Sequence, residues 1–137
     1  MKYLLDTNIL VNLLRGQSTP DLKYFKSGCA ISIITFAELL YGALKSQKPS
    51  VNSQLIHSLI DDLNLMLLDL DTTVITQYAP LRVTLEQKGF RLEDFDLLIA
   101  ATALSHNLTL VTANTKHFLH IPKLKTLSPT KNLKSLR

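Results

Sequence analysis

Short apolar runs and stretches of helical periodicity alternate along this chain from end to end. Residues 2–5, apolar after Lys2 and too short for a helix, predict a buried strand, after which Ile9, Leu10, Leu13 and Leu14 recur at helical spacing until Gly16. A polar stretch with Pro20 leads to a helical piece at residues 21–26. Ser27 and Gly28 then turn the chain into a second strand over 30–34. A helix is expected over 36–46, with Pro49 marking its far side, and Leu55, Ile56, Leu59, Ile60 and Leu63 predict another over 51–63. A third strand over 65–68 precedes a long helix over 72–88 that Gly89 stops. Residues 97–105 are apolar nearly all round, so this helix, capped by Asp94 or a neighbour, is expected to be buried. A fourth strand over 108–112, a helical turn at 116–119 and a fifth strand over 124–127 complete the series.

Strands alternating with helices predict an α/β domain with a mostly parallel sheet covered on both faces. No repeat or low-complexity segment interrupts it. With 137 residues, 46% hydrophobic and 19% charged, the chain is the size of one domain with its own core. Residues 1–127 are expected to form that domain and 128–137 a loose basic tail. The N-terminus does not read as a secretory signal, and no apolar run approaches the roughly 20 residues that span a bilayer, so a soluble cytoplasmic protein without membrane contact is expected. The single cysteine, Cys29, precludes an internal disulfide framework, no zinc-type spacing is present, and its apolar surroundings predict burial.

Charge changes the picture more through its distribution than its total. The net charge is +4, but residues 97–137 contain no Asp or Glu and carry +6, while residues 1–96 carry −2. An anionic partner for the C-terminal third follows, with nucleic acid the leading candidate and a merely solvated basic surface the alternative.

Three acids stand inside apolar segments: Asp6 in LLDTNIL, Glu38 in TFAELLYG and Asp96 in DFDLLIAATAL. Each alone has a structural explanation. Asp6 suits an N-cap, Glu38 a capping box begun by Thr35, and Asp96 the first turn of a helix, where negative charge complements the dipole. Together they mean more, because in a parallel sheet the strand-to-helix junctions gather along one edge. Carboxylates converging there raise one another's pKa and oppose folding unless a cation neutralises them. Hard oxygen ligands suit Mg²⁺, for which Mn²⁺ can substitute, and such a cation assists phosphodiester hydrolysis.

DTNILVNLL, TFAELLYG, FDLLIAATAL and LTLVTANTKHF, in this order and spacing over residues 1 to about 125, resemble the PIN-domain ribonucleases, specifically the VapC-like toxins of bacterial toxin–antitoxin pairs. The resemblance implies a three-layer α/β/α sandwich, Mg²⁺-dependent endonucleolytic cleavage of RNA that inhibits growth, a cognate VapB-like antitoxin covering the crevice, and a homodimer. Carried over by position, Asp6 and Asp96 are metal ligands, Glu38 completes the catalytic cluster, and Thr7 orients Asp6 or a metal-bound water. Thr112 and Asn114 take supporting places. Asn114 stands where many members have a fourth acid, which argues against a stable two-metal site.

The remaining residues speak more softly. Arg15, Arg91 and Lys116 are expected to flank the crevice and meet RNA backbone. His117 is read first as a satisfied histidine and second as a phosphate contact; His57, His106 and His120 receive no role. Gly42 is expected at a close helix contact. Two rival readings are a phosphohydrolase with Asp6 as nucleophile, which Asn8 in place of a second acid disfavours, and a catalytically weak RNA-binding or regulatory module with the same fold.

Overall fold

The structure, a computed structural model, describes residues 1–16 and 28–129; the expected helical piece at 21–26 and the expected tail from residue 130 onward lie outside the described residues. Five strands, β1 (Tyr3–Leu5), β2 (Cys29–Ser32), β3 (Met66–Leu68), β4 (Thr109–Val111) and β5 (Thr126–Leu127), form one sheet in the order β3-β2-β1-β4-β5. Every pairing is parallel.

The strand side chains alternate between two cores. Leu4, Ala30, Leu68 and Leu110 face a cluster completed by Leu81, Leu85, Leu97 and Ile99. Tyr3, Leu5, Cys29, Ile31 and Val111 face the opposite one with Leu10, Leu39, Ala43 and Ile56. Adjacent residues of a strand point to opposite faces, so a strand apolar at every position must be covered on both sides. The first face carries α4 (Thr72–Gln87) and α5 (Asp94–Ser105); the second carries α1 (Thr7–Leu14), α2 (Ile33–Lys45) and α3 (Pro49–Asp62). The result is the expected three-layer sandwich. Cys29 lies in the second core, 2% exposed, and burial pushes its thiol up to about 12, which removes it as a nucleophile.

Two local expectations are corrected. The second strand ends at Ser32 rather than 34, because the Ser32 hydroxyl accepts a hydrogen bond from Ile34 N at 3.1 Å and starts α2 three residues earlier than expected. Thr35 therefore lies within the helix, and no capping box joins it to Glu38. Pro49 does not merely follow α2 but opens α3 at a first-turn position, where its missing N–H is harmless. The turn at Thr115–Phe118 is a 3₁₀ helix. No helix among the described residues is long and apolar enough to cross a membrane.

Candidate active site

β1 lies at the middle of the sheet, and the chain leaves it toward β2 on one side while β4 joins it on the other. The carboxyl ends of β1 and β4 therefore border a crevice where the strand order reverses. Asp6 follows β1 directly and is 6% exposed. Both of its carboxylate oxygens are held: Oδ1 accepts from Thr7 N at 2.8 Å as the N-cap of α1, and Oδ2 accepts from the Thr112 hydroxyl at 2.7 Å across the crevice. Thr112, fully buried just beyond β4, in turn accepts from Asn114 N at 3.1 Å.

Glu38 reaches the crevice from inside α2. Its Oε1 lies 2.8 Å from Thr7 Oγ1, which lies 3.1 Å from the buried Thr35 hydroxyl. A hydroxyl has one proton to give, so all three groups are satisfied when Thr35 donates to Thr7 and Thr7 donates to Glu38. The Thr7 side chain thus orients Glu38, while its backbone, not its hydroxyl, orients Asp6. Asp96 enters from the first turn of α5, and its Oδ2 lies 2.8 Å from His117 Nε2. The start of α5 is fastened to α4, since Asp94 Oδ1 accepts from Tyr78 Oη at 2.8 Å and meets Arg82 at 3.1 Å.

The three acids line one small cleft of about 130 Å³ together with Thr7, Asn8, Asn114 and His117. Burial is the main cause raising the pKa of Asp6; Thr112 and Thr7 oppose it, Asp96 adds to it, and His117 relieves it. Burial also raises Glu38, with Thr7 opposing and the charges of Asp96, Asp6 and Glu93 adding to the rise. The cleft is therefore short of positive charge. Its donors are hard oxygens on three separate elements, the set that suits a divalent cation retaining some of its water. Among the described residues no three Asp, Glu, His or Cys groups already stand close enough to enclose an ion; Glu38 is bonded to Thr7 and Asp96 to His117.

The other expected residues are distributed around this cleft. Asn114 lines it, whereas Thr112 is buried and reaches it only through its bond to Asp6. Arg15, Arg91 and Lys116 do not line it: Arg15 borders a larger groove of about 370 Å³ that shares Glu38, and Arg91 and Lys116 line a pocket of about 250 Å³ that shares His117. Gly42 makes no close helix contact, as a Cβ there would meet nothing within 4 Å; it lines the larger groove. His117 is a satisfied histidine, as first read, and the group that satisfies it is Asp96. Glu93, one of the charges acting on Glu38, received no role in the sequence; as the residue capping α5 it was visible only as one more acid near a helix start.

Comparison with known proteins agrees over nearly the whole chain. The sequence profile of the PIN domain matches residues 3–124. Ribonuclease VapC2 of Rickettsia felis is 39% identical over 131 residues, covering 90% of this chain and 95% of that protein. The tRNA(fMet)-specific endonuclease VapC of Shigella flexneri is 33% identical, covering 92% and 96%. Among solved structures, DNA-bound VapBC from Salmonella typhimurium superposes with a TM-score of 0.86 at 32% identity, covering 93% of this chain and 98% of that one. The Rickettsia felis VapBC2 structure with a promoter DNA fragment gives 0.84 at 35% identity, with the same coverage.

Proposed function

This chain belongs to the PIN domain family, and from that premise we propose that it is a Mg²⁺-dependent endoribonuclease, the toxin of a toxin–antitoxin pair, with Asp6, Glu38 and Asp96 as its metal-holding acids. The observation that carries the reading is the convergence of these carboxylates, from β1, α2 and α5, on one cleft too electronegative to hold an RNA phosphate unaided. A bound divalent cation would supply neutralising charge for the phosphodiester and a more acidic water.

The chain's own residues supply the positioning. Thr112 and Thr7 N fix Asp6 in one orientation, so the most buried acid cannot turn away. Thr7 holds Glu38, and His117 holds Asp96. Each of these two contacts engages one oxygen of its acid, Oε1 of Glu38 and Oδ2 of Asp96. Asn114 brings no charge, consistent with one ion rather than two.

A VapB-like antitoxin is the proposed partner. The 370 Å³ groove beside Glu38 is walled by Val11, Leu14, Leu39, Ala43, Leu55 and Ile56, and Tyr41, Leu44 and Val51 leave further apolar surface exposed on α2 and α3. Such a surface fits an apolar segment lying across α1, α2 and α3 and ending at the acids. A homodimer and a cytoplasmic setting belong to the same proposal. The test compares RNA cleavage by the purified protein in Mg²⁺ with that of Asp96→Asn. Cleavage confined to the parent supports the reading; equal cleavage by both ends it.

A further inference from the structure

The pocket beyond His117 has the opposite character to the acidic cleft it adjoins. Arg91, Lys116, His117 and His120 contribute to its lining, and no acid does. One of its walls is aromatic: the rings of Phe90 and His120 stack with centroids 3.6 Å apart and planes 8° from parallel. Phe90 nevertheless remains 37% exposed, a large apolar ring at a cationic surface.

Both members of this pair are held by hydrogen-bonded turns of the backbone. Gly89 follows the C-cap of α4, and its φ of +79° lets the chain reverse; Gly89 N bonds Glu86 O at 3.1 Å and Phe90 N bonds Leu85 O at 2.9 Å. That two-bond pattern closes a helix and fixes the residue after the glycine in space. His120 is presented between the buried anchors Phe118 and Ile121, with Ile121 N bonding Phe118 O at 3.2 Å.

We propose that this pocket is a nucleotide subsite, in which a base of single-stranded RNA stacks on the Phe90–His120 pair while Arg91 and Lys116 meet its flanking phosphates. Parallel aromatic faces beside cations form the combination that binds unpaired nucleotides, since every base has a stacking face and every linkage a charge. The acidic cleft repels a polyanion, so an adjoining cationic site is needed to hold the strand, and His117 borders both. The identity of the strand rests on the ribonuclease reading; the pocket's chemistry does not. Phe90 and His120 are then positioning residues, 30 places apart along the chain but joined in one wall in space.

The test uses the full chain and a fluorescein-labelled uridine hexanucleotide, with binding followed by anisotropy in EDTA so that cleavage does not intervene. Phe90→Leu, which keeps an apolar side chain, and His120→Ala are expected to weaken binding by about 5- to 100-fold, and Phe90→Tyr to restore it. In Mg²⁺ the same two substitutions should act mainly on KM rather than kcat. Parent-like affinity in both Phe90→Leu and His120→Ala overturns the subsite, as does a parent that does not bind the oligonucleotide. Loss of affinity in Lys116→Ala alone overturns it too, because a site that reads only charge has no use for the rings. Ring-dependent binding by a protein that cleaves no RNA supports the subsite and removes only the nuclease reading.

Discussion

A single buried hydroxyl joins the two central strands at the site. Thr112 donates to Asp6 and accepts from Asn114 N, so Thr112→Val leaves a buried carboxylate oxygen and a backbone N–H without their partner. The expected cost is about 2 kcal/mol, or a fall in Tm of roughly 5–10 °C, with RNA cleavage reduced at least about tenfold as Asp6 loses its orientation. Thermal melts and cleavage rates check this, and Thr112→Ser should recover most of both. The acids make a prediction of opposite sign. Asp6 and Glu38 titrate above their ordinary values of 3.8 and 4.5 when folded, because burial penalises their charge. The folded chain then binds more protons than the unfolded one between those values and the raised ones, so metal-free stability falls as pH rises through that window. Glu38→Gln, which still accepts from Thr7, should therefore melt higher than the parent above the window and show a flatter pH dependence. Asp6, Glu38 and Asp96 were legible in the sequence because an acid in an apolar run demands an explanation. The partner of His117 was not, since Asp96 lies 21 residues away and a lone histidine has no periodicity to betray its contact.

At the scale of elements, the sequence revealed most where apolar residues recur for several turns. The helices of residues 49–62 and 72–87 appear within about two residues of their expected ends, even across Pro80, because side-chain periodicity integrates over many positions. The start of α2 was missed because Ser32, Thr35 and Glu38 offer two competing caps, and only the sheet decides between them: Ser32 still pairs with Leu68, so the helix begins at once after it. Gly89 was legible for a physical reason. Its φ of +79° is a conformation that a Cβ opposes, although nothing else stands within 4 Å of the site. Gly89→Ala should thus destabilise by about 1 kcal/mol through backbone strain alone. Denaturant melts check the magnitude, and an unchanged midpoint would mean that the α4 terminus is not held as described. The same substitution tilts Phe90, so oligonucleotide affinity should fall with it.

The whole molecule explains why one ion would matter so much to it. A parallel sheet with its switch point between β1 and β4 sends Asp6, the α2 acid and the α5 acid to the same edge, while both cores lie elsewhere. An acidic cleft adjoins a basic pocket, to which the acid-free C-terminal third contributes Lys116, while His117 borders both. Folding without a cation therefore carries electrostatic repulsion and desolvation that the hydrophobic layers must offset. A ligand that binds only the folded form stabilises it by mass action, about 2.7 kcal/mol at a concentration 100 times its Kd. Saturating Mg²⁺ or Mn²⁺ should accordingly raise the Tm of the parent by roughly 5–10 °C, EDTA should reverse the rise, and Asp6→Asn or Asp96→Asn should abolish it while leaving a folded protein. The shift should also fade as pH falls, because protons compete with the metal for Asp6 and Glu38. A cation-induced rise that is undiminished in both variants would place the binding outside these acids, and the proposed centre with it.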